Sequence, residues 1–152
     1  MLKVGKKAPA FASVNQNGDK IALKDFLGKK VILYFYPKDD TPGCTAQACN
    51  LRDNYEDLIK AGYAVIGVSV DAVKKHKKFE EKYSLPFPLV SDEDKIIVEK
   101  YELWGEKKFM GKAYMGTTRT TFLINEAGVI VHIIDKPDTK NQTAQVLEAW
   151  PK

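Results

Sequence analysis

The chain has 152 residues, a formal net charge of +4 and 44% hydrophobic residues. That length supports one domain with a substantial core, expected over residues 1–152, and the composition excludes a disordered chain. No run approaches the roughly 20 apolar residues of a membrane span, and Met1 to Lys7 lacks the apolar centre of a signal peptide, so a cytoplasmic protein is expected.

The charges are spread along the chain. The cluster Lys74-Lys75-His76-Lys77-Lys78 adjoins Glu80 and Glu81 and reads as a solvated helix face, without the aromatic interleaving of a nucleic-acid surface. Of 24 basic residues only Arg52 and Arg119 are arginines, so both are candidates for roles that need a rigid fork of donors.

In chain order, Phe11 to Val14 and Lys20 to Leu23 flank Asn17-Gly18 and predict an N-terminal β-hairpin. Asp25 to Gly28 reads as one helical turn closed by glycine. Val31 to Tyr36 is apolar throughout and fits a central strand covered on both faces. Thr41-Pro42 is then a helix-start signal, threonine as N-cap and proline at the first helical position. The helix is expected from about Pro42 to Lys60, with Cys44, Ala48, Leu51, Tyr55 and Leu58 as its apolar stripe.

Ala64 to Val70 predicts a second buried strand and Ala72 to Tyr83 a second helix. Pro86 to Ser91 and Ile96 to Tyr101 predict a short strand and a short helix. Trp104 to Gly116 reads as the least regular section, carrying Trp104, Phe109, Tyr114 and Met115. Ordinary packing under a long loop and an apolar rim for bulky substrates are both open for these side chains. Thr120 to Ile124 and Val129 to Ile134 predict a second hairpin, and Thr139 caps a last helix through Trp150. The class is α/β, a central sheet with parallel and antiparallel steps flanked by helices.

Counting from Thr41 places Cys44 third in its helix, where unpaired backbone N–H groups and the positive end of the helix dipole favour a thiolate. Cys49 follows five residues later. On an ideal helix that spacing separates the Cα atoms by roughly 8.7 Å, beyond the limit of about 7 Å for a disulfide. The two cysteines can therefore bridge only if the first turns unwind.

The run Phe35-Tyr36-Pro37-Lys38-Asp39-Asp40-Thr41-Pro42-Gly43-Cys44-Thr45, with Cys49 after it, resembles the active-site stretch of peroxiredoxins. It is most similar to the bacterioferritin comigratory protein (peroxiredoxin Q) branch, and the likeness extends from Ala8 through Arg119 to Gly128. The resemblance implies a thioredoxin-like fold and a thiol peroxidase for hydrogen peroxide and organic hydroperoxides. Cys44 would be the peroxidatic cysteine, cycling through sulfenic acid, and Cys49 the resolving cysteine. Thr41 and Arg119 would contact the reacting atoms, while Pro37 and Gly43 would line the substrate pocket. It implies no metal, haem or flavin, a thioredoxin-type reductant, and a monomer or at most a weak dimer. One departure stands out: Gln47 replaces a glutamate usual in relatives, which weakens any orienting contact to Arg119.

Plainer accounts stand beside these roles. Thr41 serves simply as an N-cap, Arg119 as a surface arginine at a strand start, and Pro37 as a strand terminator. Cys49 could be inert, leaving resolution to an external thiol, and Arg52 could pair with Glu56 one helical turn on. A thiol-disulfide oxidoreductase is the alternative enzyme, although four residues rather than two separate the cysteines. Cys44, Cys49, His76 and His132 do not resemble a tetrahedral zinc set. The chain lacks the Gly-Gly-Leu-Gly loop and C-terminal Tyr-Phe helix of overoxidation-sensitive peroxiredoxins, so tolerance of excess peroxide is expected.

Overall fold

Val31 to Tyr36 is buried throughout because it runs along the middle of the sheet, in a computed structural model that describes residues 2–151. The end residues of the expected 1–152 domain, Met1 and Lys152, lie outside the described residues. The strands are β1 (Ala12–Val14), β2 (Lys20–Ala22), β3 (Lys30–Phe35), β4 (Tyr63–Ser69), β5 (Leu89–Ser91), β6 (Trp104–Phe109), β7 (Lys112–Thr117), β8 (Thr120–Ile124) and β9 (Ile130–Ile134). The helices are α1 (Pro42–Asp53), α2 (Tyr55–Lys60), α3 (Val73–Tyr83), α4 (Ile96–Lys100) and α5 (Gln142–Ala149), with a 3-10 turn at Leu23–Phe26.

Seven strands form one sheet in the order β2-β1-β5-β4-β3-β8-β9. β3 runs parallel to β4 and antiparallel to β8. Strand periodicity divides β3 between two cores. Val31, Leu33 and Phe35 pack with Val98, Tyr101 and Phe122, while Ile32, Tyr34 and Tyr36 pack with Cys44, Leu51, Phe79 and Val146. The expected thioredoxin-like arrangement forms: a mixed sheet flanked by helices, with an N-terminal β-hairpin on its edge.

The register positions the site. Phe35 pairs with Thr120, so the carboxyl end of β3 and the amino end of β8 share one sheet edge. Residues that follow Phe35 and residues that precede Thr120 must therefore meet. Cys44 and Arg119, 75 residues apart in the chain, are thereby brought to that edge.

Three expectations about local structure are corrected. The helix from Pro42 does not run unbroken to Lys60; it breaks at Asn54 (φ −109°, ψ 9°). There the side-chain amide donates to the Asn50 carbonyl at 2.8 Å, taking the acceptor that a continuous helix would give its backbone N–H. Trp104 to Gly116 is not irregular but a two-stranded hairpin, β6 with β7. Its turn, Met110-Gly111, has φ of 51° and 80°, as a two-residue primed turn requires. The last helix starts at Gln142 rather than after Thr139, because the carbonyl and carboxylate of Asp138 accept from Asn141 and Lys140 and hold a turn before it.

Candidate active site

Thr41 ends the loop after β3 in extended conformation (φ −102°, ψ 155°), Pro42 opens α1, and Cys44 is its third residue, as counted from the sequence. Thr41 occupies the N-cap position without capping: its hydroxyl donates instead to the Lys38 carbonyl at 2.9 Å. The hydroxyl hydrogen is thus engaged within the loop, and the oxygen retains lone pairs that can accept from a bound group.

Cys44 is 1% exposed and packs among Tyr34, Tyr36 and Ala48. Arg119, in the link between β7 and β8, donates from Nη2 to Cys44 Sγ at 3.2 Å and from Nη1 to Gln47 Oε1 at 2.7 Å. The guanidinium fork spans sulfur and amide at once, a geometry that an ammonium cannot reproduce. The plain account of Arg119 as a surface residue at a strand start does not describe this placement. Gln47 does contact Arg119, through a neutral amide, so this contact does not offset the positive charge. That charge also reaches the adjacent hairpin: partial burial and then Arg119 pull Lys107 below the ordinary lysine range.

Gly43 lies under the same guanidinium, since a β-carbon built there would sit 3.2 Å from Arg119 Nη2. Pro37 is half-buried at the end of β3. Cys49 is half-buried on α1, and both thiols are free. Because Pro42–Asp53 is helical throughout, the ideal-helix separation applies to Cys44 and Cys49, and the pair is held apart.

Arg52 does not belong to this cluster, nor does it pair with Glu56. Its guanidinium bonds Asp53 at 2.9 Å and the Tyr83 carbonyl at 2.7 Å, tying α1 to α3. On the hairpin, Trp104 packs against the core, whereas Phe109, Tyr114 and Met115 are 68%, 50% and 55% exposed. Burial under a long loop is excluded for those three.

A second polar group was not foreseen. Asp39 and His76 are buried, with His76 Nδ1 2.6 Å from Asp39 Oδ2 and His76 Nε2 3.0 Å from the Val90 carbonyl. Tyr36 donates its hydroxyl to Asp39 Oδ1 at 2.5 Å. Burial, then the Asp39 charge, raises the Tyr36 phenol well above its ordinary range, which keeps it a donor. Asp39 N–H donates to Asp71, and Asp40, at φ 58°, bonds Lys82 and Tyr83. The loop that carries Pro37 and Thr41 is thereby stapled to α3. His76 is buried rather than part of the solvated lysine face that the sequence suggests; its spacing of three from Phe79, the other buried residue of α3, is the available signal. Asp39, Asp71 and His76 are the one group among the described residues with metal-ligand geometry, but their ligand atoms are engaged with one another, Ser69 and Lys75.

Comparison with known proteins places the chain in a family. The AhpC/TSA family model matches residues 4–133, a span that includes Cys44, Cys49 and Arg119 and ends before α5. Peroxiredoxin Bcp of Escherichia coli is 49% identical over 151 residues, covering 99% of this chain and 96% of its own. Peroxiredoxin Bcp of Bacillus subtilis is 42% identical over 147 residues, covering 97% and 94%. The solved bacterioferritin comigratory protein of Xanthomonas campestris, characterised for alkyl peroxide reduction through trapped-intermediate and ligand complexes, superposes with a TM-score of 0.86 at 30% identity, covering 97% of each chain. A likeness that runs nearly end to end in both sequence and fold leaves one assignment: this chain belongs to the AhpC/TSA family, in its bacterioferritin comigratory protein (peroxiredoxin Q) branch.

Proposed function

We propose that the protein is a two-cysteine thiol peroxidase acting on hydrogen peroxide and organic hydroperoxides. The observation that carries this reading is the 3.2 Å contact from Arg119 Nη2 to the buried sulfur of Cys44. The Cys44 thiolate attacks one peroxide oxygen, an S–O bond forms as the O–O bond breaks, and the leaving oxygen takes a proton to become water or an alcohol. Sulfur is oxidised by two electrons to the sulfenic acid.

Charge spreads from sulfur to both oxygens during that step. A free thiol is roughly 3% ionised at pH 7, so full ionisation is worth only about 2 kcal/mol. A preorganised donor contributes roughly 3–4 kcal/mol, so the aimed guanidinium is the larger effect. Thr41 Oγ1, its hydrogen held by Lys38, accepts the O–H of the hydroperoxide. Pro37 and Gly43 shape the pocket, glycine leaving room for the guanidinium.

Cys49 then attacks the sulfenic sulfur, an S–S bond forms, and hydroxide departs as water. The first turns of α1 unwind to allow it, which exposes the disulfide to a thioredoxin-type dithiol. That donor is oxidised to its own disulfide as Cys44 and Cys49 are reduced. Both cysteines come from one chain, so a cytoplasmic monomer suffices for the cycle. Among the described residues no helix is long and apolar enough to cross a membrane.

Intact mass and a non-reducing peptide map after one equivalent of hydrogen peroxide test the proposal. The expected product has lost two hydrogens, with Cys44 and Cys49 in one linked peptide and no sulfinic acid. A stable single added oxygen on Cys44 removes Cys49 from the cycle. No change at either cysteine ends the peroxidase reading.

A further inference from the structure

We propose that Gln142, at the start of α5, is a positioning residue that holds Arg119 on Cys44 and also latches the first turns of α1 closed. This rests on the two-cysteine peroxidase reading. The geometry is directional. Arg119 carries only donors, so Gln47 must present its oxygen to Nη1, which leaves Gln47 Nε2 to donate. It does so to Gln142 Oε1 at 2.8 Å, and Thr121 Oγ1 donates to the same oxygen at 2.6 Å. Gln142 Nε2 donates to Gln145 Oε1 at 2.8 Å, and Gln145 Nε2 to the Lys136 carbonyl at 3.1 Å.

Each amide therefore donates away from the guanidinium, and reversing any one of them would set donor against donor. Hydrogen bonds aligned in one sense strengthen one another. Gln47 and Gln142 are 0% exposed, so neither has water as a substitute partner. Gln142, Gln145 and Lys136 all lie beyond residues 4–133, the span of the family match. This end of the relay belongs to the C-terminal segment of this chain.

The same bonds oppose the second half of the cycle. Gln47 sits between Cys44 and Cys49 on α1, and the sulfenic sulfur reaches Cys49 only after those turns separate. Residue 47 cannot leave the helix while it bridges Arg119 and Gln142. The contact that aims the guanidinium during oxidation must be given up during resolution. Asn50 supplies a second tie to α5, donating to the Lys140 carbonyl at 3.0 Å and accepting from Thr143 N–H at 2.8 Å. Asn50 is not part of the relay to Arg119, so its latch can be separated from positioning.

Rapid-quench mass spectrometry of the full chain with hydrogen peroxide resolves the two steps, sulfenic acid formation and its conversion to disulfide with loss of water. Gln142→Ala is expected to slow the first about three- to tenfold, the scale of one buried hydrogen bond, and to accelerate the second by a similar factor. Asn50→Ala is expected to accelerate only the second. Opposed signs in the Gln142 variant, with Asn50→Ala changing the second step alone, are the signature, since loosening α1 without disturbing Arg119 would accelerate resolution only. Should Gln142→Ala not fold, Gln142→Met keeps the side-chain length, and the same outcomes apply. Both rates falling together in the Gln142 variant, or neither changing, overturns the proposal while leaving the peroxidase reading intact. A wild-type chain that forms no sulfenic acid overturns both.

Discussion

Gly43 and Arg119 approach so closely that a β-carbon on the glycine would lie 3.2 Å from Nη2, the nitrogen that donates to Cys44 Sγ. The second residue of α1 thus lacks a side chain because the guanidinium crosses over it. Gly43→Ala is expected to shift the guanidinium by a few tenths of an ångström and to lower the second-order rate with hydrogen peroxide about tenfold, part of the effect of losing an aimed donor. Stability should not fall, because alanine favours a helix over glycine by about 1 kcal/mol. Stopped-flow oxidation and thermal melting check both halves. An unchanged rate would dissociate the close approach from catalysis.

Arg119→Lys tests the fork itself. One ammonium cannot serve Gln47 Oε1 and Cys44 Sγ in the planar geometry seen here. The rate of Cys44 oxidation is expected to fall roughly 100-fold, near the value for removal of one preorganised donor. A loss of less than about threefold would assign the effect to charge alone, without orientation.

The Asp39–His76 pair predicts stability rather than rate. The Val90 carbonyl can only accept, so His76 Nε2 carries a proton and Asp39 meets Nδ1. Asp39→Ala takes the carboxylate partner from both the Tyr36 hydroxyl and His76 Nδ1 inside the core, and about 2–4 kcal/mol of unfolding free energy is expected to be lost. Tyr36→Phe removes one partner only and should cost about 1 kcal/mol. Urea unfolding measures both. Equal losses would contradict the central place of Asp39 in the network.

These particulars also divide what the chain's pattern reveals from what it conceals. Cys44 was legible because Thr41-Pro42 marks where a helix starts, and three residues of counting then suffice. β3 was legible because burial on both faces leaves an uninterrupted apolar run. The β6–β7 hairpin was not, since its strands are largely exposed and carry no clean alternation; Met110-Gly111 was its one turn signal. The break at Asn54 depends on a side chain outcompeting its own backbone for one carbonyl. Gln142 was invisible for another reason: nothing local announces that its partner, Gln47, stands 95 residues earlier. Arg119 could be singled out by rarity, but its reach to sulfur follows from the Phe35–Thr120 register, a tertiary fact.

Asp71 gives a pH dependence of stability. Burial raises its carboxyl, but hydrogen bonds from Ser69, the Asp39 backbone and Lys75 outweigh that and leave it below the ordinary aspartate range. A folded-state value below the unfolded value, about 3.9, means that the stabilisation is present above that pH and is lost as pH falls through the folded value. Asp71→Asn is therefore expected to be destabilised by about 1–2 kcal/mol at pH 7. The gap to wild type should narrow below about pH 4. Urea midpoints from pH 3 to pH 8 check it, and a gap that widens in acid would reverse the sign.

The exposed hairpin carries the last prediction. β7 leads directly through Thr117 and Thr118 to Arg119, so Tyr114 and Met115 on β7, and Phe109 on its partner β6, project from the hairpin that delivers the guanidinium. Large apolar side chains so exposed contribute little to the fold, and replacing them with serine should leave stability within about 0.5 kcal/mol of wild type. An alkyl hydroperoxide long enough to reach the hairpin would cover part of this surface, whereas hydrogen peroxide would not. Fully burying one such side chain is worth about 1.5–3 kcal/mol. Partial cover by a flexible chain then predicts a rise in KM for the bulky substrate of about threefold per residue replaced, with kcat unchanged. Kinetics with hydrogen peroxide on the same variants should match wild type. Equal changes for both substrates would mean that the hairpin acts through Arg119, and no change for either would remove it from substrate recognition.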